Sequence, residues 1–535
     1  MPSCRSRWPH TGISSGCDER VGPPRPVVAA APVLRRNTIA NFAGQGWAAL
    51  MSLAFVPLYI HYLGIEAYGV IGLYVLLQAW LVLLDLGMTP TLNREMARFT
   101  AGLHGPQEIR DLLRSLEMVA GTIAILVALA VAAAAAPIAH GWVRTDALDP
   151  ETVAQAVAVM GLVMATHLLE SLYRSSLIGL QRQVLYNVVF AATATLRGAG
   201  VVLVLAFWSA TLQAFFLWQA LASLVLLALL GAITYAVLPR GDRRARFSML
   251  ALRGIGRFAG GMVLITLLSL LLMQVDKLLL STLLPLDEFG RYALATAVAG
   301  GLTVLSAPIG QAWFPRMSQL HAGDDSAAFA SVFHKGAQLV SVLTGSAAIF
   351  LVFFAEPVLA LWTGNAQLAA EVASLLSMLA IGNGLNALMW MPYYSQLAAG
   401  ITMLTVKINV IAVLILVPAI IFVAPRYGAF GAAAIWATLN ATYVLVASHF
   451  VFRRVLPGEI GAWYFRDLLL PLAPPAAIAS LAAMFVPFGE IGRLGSGVAL
   501  LAALAAMGIG AALLSRELRS RLLPALASIR SRNKA

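Results

Sequence analysis

Residues Leu212–Leu238 read LQAFFLWQALASLVLLALLGAITYAVL, twenty-seven residues without a single Asp, Glu, Lys or Arg. Wound as an α-helix at about 1.5 Å per residue, this run is long enough to cross a hydrocarbon core of about 30 Å. Its apolar residues do not alternate with polar ones, as a strand of a membrane barrel would require. The chain then turns sharply basic, reading PRGDRRARFSMLALRGIGR over Pro239–Arg257. Lys and Arg in short loops resist translocation, so this end of the helix is expected in the cytoplasm.

The same unit recurs along the chain. Apolar runs are expected to span at Ile39–Leu63, Val70–Thr89, Leu116–Ala139, Val153–Ile178 and Val188–Phe207, before Leu212–Leu238. After the basic connector come Ala259–Leu284, Tyr292–Phe314, Gly336–Ala355, Leu368–Leu397, Ile401–Val423, Gly431–Val451, Asp467–Val486 and Ser496–Leu514. Of the 535 residues, 60% are hydrophobic and only 11% charged, against about 25% charged in a soluble protein. The expected fold is therefore an all-α polytopic membrane protein of about 14 transmembrane helices. Alternate loops carry Arg94, Arg98, Arg110, Arg114, Arg453 and Arg454, with Arg516 and Arg519 in the C-terminal tail. The opposite side has only Arg144, Arg291, Arg426 and Arg493. This asymmetry predicts a multi-pass protein of the bacterial cytoplasmic (inner) membrane with both termini cytoplasmic. The net charge of +12 then faces anionic lipid and implies no nucleic-acid partner.

The expected organisation is a disordered cytoplasmic tail (1–35), a six-helix lobe (36–238) and a basic cytoplasmic connector (239–258). A second six-helix lobe (259–452), helices thirteen and fourteen (453–514) and a basic cytoplasmic tail (515–535) follow. Residues 1–32 lack an apolar h-region and read either as disordered or as translated sequence upstream of the true start. Cys4 and Cys17 lie there, without a second ligand pair, and read as free thiols. The loop Asn93–Leu116, with Arg94, Arg98, Arg110 and Arg114, reads as an amphipathic interfacial segment.

One short pattern occurs twice. Gly64-Ile65-Glu66-Ala67-Tyr68-Gly69 follows the first helix of the first lobe, and Pro285-Leu286-Asp287-Glu288-Phe289-Gly290 follows the first helix of the second. Six helices separate the copies, an even number, so the lobes are parallel and related by an axis along the membrane normal. Parallel repeats of this kind are a transporter signature, with the substrate site between the lobes near the midplane.

The chain has no GxxxxGK[ST], HExxH or GxSxG pattern and no metal-ligand cluster, so neither a catalytic residue, a metal site nor a cofactor is expected. The longest outer loop, Ala139 to Thr152, is too short for the extracytoplasmic element of a glycan polymerase or ligase. What remains is a sparse set of ionisable residues inside helices, where charge is costly and usually functional. Arg197 lies near the centre of its span and cannot snorkel to either face. It reads either as a bidentate holder of phosphate in a cavity or as one half of an internal Arg–carboxylate pair. His167, Glu170 and Arg174 share one face of the fourth helix. They read as a cavity wall, with Glu170 a proton or Na⁺ ligand, or as a helix-stabilising cluster.

Asp276 and Lys277 are adjacent and so point about 100° apart, which predicts that only one lines the lobe interface. Asp85 reads as a loop-helix cap or as a cavity-lining, ion-coupling group, and Lys407 as a snorkelling residue. Asn383, Asn386, Asn409 and Asn440 are expected to bond between helices, with sugar hydroxyls as the alternative.

The segments Asn37-Thr38-Ile39-Ala40-Asn41, Phe55-Val56-Pro57-Leu58-Tyr59-Ile60 and Leu63-Gly64-Ile65-Glu66-Ala67-Tyr68-Gly69 resemble a known family. So do Asp85-Leu86-Gly87-Met88 and Asn93-Arg94, and in the second half Gln274-Val275-Asp276-Lys277 with Phe289-Gly290-Arg291-Tyr292. The resemblance, over roughly residues 36–450, is to the polysaccharide biosynthesis (Wzx-type) oligosaccharide flippases of the multidrug/oligosaccharidyl-lipid/polysaccharide exporter superfamily. It implies an alternating-access transporter of undecaprenyl-pyrophosphate-linked oligosaccharide for O-antigen, capsule or exopolysaccharide, with membrane lipids and polysaccharide assembly proteins as partners. It carries no residue-level assignment. Arg197, Lys277 and Arg174 are candidates for pyrophosphate, Glu170 and His167 for the cavity wall, and Glu170, Asp276 and Asp85 for ion coupling. The rival readings are an ion-coupled drug or metabolite antiporter of the same superfamily, a membrane polymerase or ligase, and a non-transporting scaffold.

Overall fold

The computed structural model describes residues 31–249, 256–515 and 519, apart from 101, 324 and 489. The N-terminal tail with Cys4 and Cys17, Arg253 of the connector and the basic tail beyond Ser515, other than Arg519, lie outside the described residues.

Among the described residues, 12 helical stretches are long and apolar enough to cross a membrane. The first lobe supplies α1 (Ala43–Leu63), α2 (Ile65–Leu84), α3 (Pro106–Trp142), α4 (Pro150–Gly179), α5 (Gln183–Phe207) and α6 (Leu212–Val237). A further helix, α7 (Gly256–Leu283), stands outside those twelve. It is followed by α8 (Leu286–His321), α9 (Ser326–Phe353) and α10 (Ala366–Ala398). The 53-residue stretch Met403–Val455 is two spans, α11 (403–427) and α12 (429–455), because the backbone breaks at Gly428 (φ 57°, ψ −151°). Only glycine tolerates that conformation readily. With α13 (Ile460–Phe485) and α14 (Gly492–Leu514) the chain reaches the fourteen spans expected from its sequence.

The helices pack as two six-helix lobes. In the first, α3 packs on α4, α4 on α6 and α1 on α5; in the second, α8 packs on α10 and both α7 and α10 on the Met403–Val455 pair. Helices α13 and α14 pack on each other and on α9. Large apolar side chains such as Leu129, Leu414, Phe422 and Leu494 stand outward, 63–89% exposed, as lipid-facing residues must.

Several boundaries differ from the sequence reading, and three of the differences shape the seam between the lobes. Helix α2 starts at Ile65, ahead of Val70, and stops at Leu84 because Leu86 (φ 49°) and Gly87 (φ 75°) reverse the chain. The stretch Asn93–Leu116 is not one interfacial segment. Met88–Thr100 is a separate short helix, and Pro106 opens α3, whose first turns run straight into the span. A proline suits a helix start because its missing N–H would be unpaired there anyway. The polar face of those first turns is instead occupied by the connector. Asp111 accepts hydrogen bonds from Arg243 Nη2 (2.7 Å) and the Arg246 amide (2.8 Å), and Ser115 Oγ accepts from the Ser248 amide (2.8 Å). Lastly, α10 breaks at Met389, so residues from Trp390 onward form a second helical segment.

The two copies of the repeated pattern meet face to face. A side chain at Gly69 would run into the Leu286 carbonyl, and one at Gly290 into the Ile65 carbonyl. A Cβ at Gly72 would lie 2.7 Å from that of Ala293, its counterpart in the second copy. Reciprocal contacts of this form are what a two-fold axis produces. The same end is sealed by the α3–α4 loop: the Leu286 amide donates to Arg144 O (2.9 Å), and Trp142 Nε1 donates to Ser281 Oγ (3.0 Å). Glu66 holds that loop by accepting from the amides of Asp146, Ala147 and Leu148.

At the basic end, a buried cluster fastens α13 to α9. His334 bonds Asp467 through Nδ1 and Glu459 through Nε2 (3.1 Å), while Gln338 Nε2 donates to Asp467 Oδ1 (2.9 Å). Ser515, at the end of α14, donates to Gln338 Oε1 (2.9 Å). Asp467 is fully buried, and nothing in its local sequence marks that role.

Candidate functional site

Four cavities lie in the first lobe and along the seam between the lobes, each sharing wall residues with the next. In the first lobe, a 460 Å³ cavity is walled by α1, α2, α5 and α6 and contains Arg197, His167 and Gln78. A 420 Å³ cavity toward the basic end shares Gln78 and His167 and adds Asp85 and Arg174. Ile71 and Val75 of α2 continue into a third cavity, also 460 Å³, which holds Asp276 and Lys277. Leu272, Met273 and Asn386 lead from it to a fourth, of 360 Å³. The apolar faces of these helices close the lobes outward, and the seam collects the polar side chains.

Arg197 sits on α5 deep between the two membrane faces. Its Nη2 donates to Glu170 Oε1 of α4 (3.2 Å) and to Ser223 Oγ of α6 (2.7 Å), while its Nε is buried without a hydrogen-bond partner. Glu170 Oε2 lies 3.4 Å from His167 Nδ1, and His167 Nε2 bonds the Gln78 amide of α2. Arg197 is thus paired with a carboxylate and also lines a cavity. Its side chain keeps 19% of its surface, against 7% for Glu170, so the cation is the more accessible partner. A chain from Gln78 through His167 and Glu170 to Arg197 links α2, the helix at the lobe seam, to the interior of the first lobe.

Asp85 lies below this chain. It caps the short helix Met88–Thr100 by accepting from the Thr89 amide (3.1 Å) and hydroxyl (2.5 Å), and it lines the same cavity as the exposed Arg174.

The expectation for Asp276 and Lys277 is corrected. Both line one cavity, because the flexible Lys277 stem curls back, placing Nζ 3.4 Å from the Asp276 carboxylate and 3.0 Å from Met273 O. Helical angles fix where side chains start, and a four-carbon stem cancels that difference. Asp276 also accepts a hydrogen bond from Tyr292 of α8. Asn383 donates to Ala299 O and accepts from Trp436 Nε1, and Asn386 donates to Asn440 Oδ1 (2.8 Å), the interhelical bonds expected of them. Lys407 is exposed. Gln78, Ser223 and Tyr292 were not singled out from the sequence. A lone amide or hydroxyl in an apolar helix is a weak signal, and only the fold brings these three to charged partners.

A two-lobed helical membrane protein with a polar seam closed at one end is the class this architecture defines. The chain belongs to the family described as Polysaccharide biosynthesis protein, whose profile matches residues 34–321. It is 22% identical over 405 residues, 75% of this chain and 93% of the relative, to a Shigella flexneri protein named "Putative O-antigen transporter". Its fold is similar to that of the lipid II flippase MurJ in an inward closed conformation (TM-score 0.65, 10% identity, covering 90% of this chain and 99% of that one). It is also similar to an inward-facing multidrug resistance MATE family transporter of the MOP superfamily (TM-score 0.62, 14% identity, 78% and 96%). The chain is thus a multi-pass membrane protein of the polysaccharide biosynthesis family, with the fold that these transporters share.

Proposed function

We propose that this protein moves an undecaprenyl-pyrophosphate-linked oligosaccharide from the cytoplasmic to the outer leaflet of the inner membrane by alternating access. The observation that carries the reading is Arg197, a cation deep in the first lobe that lines a cavity sharing Ile71 and Val75 with the cavity at the lobe seam. A sugar–pyrophosphate group cannot enter hydrocarbon unaided, since each unsatisfied polar group costs several kcal/mol there. In a polar seam that cost is avoided, while the polyprenyl tail stays in lipid.

The contacts of Gly69, Gly72 and Gly290 close the end opposite the basic loops, which supports a state loaded from the cytoplasm, with both termini on that side. Arg197 and Lys277 receive the pyrophosphate, with Arg174 nearer the entrance. Each already has a carboxylate beside it or in the same cavity: Glu170, Asp276 and Asp85. Protonation of Glu170 would free Arg197 Nη2 for a phosphate oxygen, so a proton and the substrate would bind together. Polysaccharide assembly proteins would take the product on the outer side. No step of this cycle makes or breaks a covalent bond.

The test is leaflet-resolved quantification of undecaprenyl-linked oligosaccharide after depletion of the protein. Accumulation of complete units on the cytoplasmic leaflet, reversed by re-expression, is expected. An unchanged distribution in a strain with no redundant flippase removes the reading. The likeness to a MATE transporter favours, as the second reading, ion-coupled antiport of an organic cation.

A further inference from the structure

The fourth cavity differs in chemistry from the rest of the seam. Trp390, Tyr393 and Tyr394 wall it from the helical segment after the Met389 break, at a spacing that puts all three on one face. Asn386 lies one turn earlier on the same face, Asn409 opposite on α11, and Tyr443 on α12. None of these six side chains carries a charge, whereas Arg197, His167, Asp276 and Lys277 crowd the neighbouring cavities.

The aromatic wall is held in place. Tyr394 lies directly on Gly310 of α8, where any side chain would collide with its ring. Its ring centroid is 5.8 Å from that of Trp390, 5.4 Å from that of Tyr393 and 5.9 Å from that of Phe314. Asn386 is oriented by its bond to Asn440. Tyr443 opens a π-helical turn, Tyr443–Ala447, a distortion that recurs at functional sites, and its hydroxyl is buried with no hydrogen-bond partner.

Core packing does not account for this arrangement. Tyr393 remains 39% exposed, and the buried Tyr443 hydroxyl is destabilising for as long as nothing binds it. Lipid contact does not account for it either, because the rings share their cavity with amides. Flat, electron-rich ring faces beside neutral donors and acceptors suit a ligand with C–H-rich faces and a hydroxyl rim.

We infer that this cavity is a sugar subsite: it stacks a pyranose ring of the transported headgroup on Tyr393 and Trp390 and hydrogen-bonds its hydroxyls through Asn386, Asn409 and Tyr443. The inference rests on the flippase reading and divides the seam by chemistry. Arg197 and Lys277 take the charged linkage common to all such lipids, and the aromatic cavity discriminates the glycan.

The experiment uses the full chain in nanodiscs and two probes, undecaprenyl pyrophosphate alone and undecaprenyl pyrophosphate carrying one N-acetylhexosamine. The wild type is expected to bind the glycosylated lipid at least tenfold more tightly. Tyr393→Ala and Asn409→Ala should each erase that preference and leave affinity for the bare lipid intact, which also reports that they fold. Arg197→Lys should weaken both probes and keep the ratio. Equal wild-type affinity for the two lipids, or an unchanged ratio in both cavity variants, overturns the sugar subsite and leaves the flippase reading standing. Failure of the wild type to bind either lipid overturns the flippase reading and this subsite with it.

Discussion

Gly72 and Ala293 occupy the same position in the two copies of the repeat, and the Ala293 methyl lies 2.7 Å from where a Cβ on Gly72 would stand. Cysteines at these two places should crosslink under oxidation, after a shift of about 1 Å to reach disulfide geometry. The Gly72→Cys, Ala293→Cys protein is expected to stop transporting when oxidised and to recover with reductant. Continued transport by a fully crosslinked protein would mean that this contact does not open.

Gly69→Val and Gly290→Val should each drive a side chain into the facing carbonyl. Overpacking of this kind costs about 1–3 kcal/mol, and here the cost falls only on the state in which the lobes touch. Thiol labelling from the outer side, at a cysteine placed in the seam, should rise in either variant.

Arg197→Ala should reduce transport at least tenfold with membrane insertion intact. It also leaves Glu170 buried without its cation, a loss of about 3–5 kcal/mol for a buried pair. Adding Glu170→Gln should restore much of the thermal stability in detergent without restoring transport. Recovery of both would reduce the pair to a structural one.

Asp467→Asn should loosen α13 from the second lobe. The variant takes from His334 the fully buried carboxylate oxygen it bonds, and leaving a buried polar group unsatisfied costs about 1–3 kcal/mol. Limited proteolysis near Pro457 and Gly458 should become faster, with the first lobe unaffected.

The spans were legible because apolar length is a property of the sequence alone, and the lobe symmetry because Gly69 and Gly290 recur in matching contexts. Arg197 stood out because a lone cation in a long apolar helix has few explanations. The partners of these residues were not legible. Glu170 and Ser223 are 27 and 26 residues from Arg197 on other helices, and His334 is 133 residues from Asp467. Asp276 and Lys277 misled because side-chain flexibility overrides helical angle. The aromatic cavity gave no signal at all: Trp390, Tyr393 and Tyr394 look like ordinary apolar residues until the break at Met389 turns them inward.

The binding of the connector along α3 bounds how far the lobes can part. Because Asp111 and Ser115 hold the chain as far as Ser248, that strand travels with the first lobe as a fixed arm. Only the eight residues that follow Ser248, up to Gly256, then link this arm to the second lobe. Eight residues span at most about 28 Å. In the alternating-access cycle proposed above, this end of the second lobe can therefore swing away from the connector arm by no more than that reach.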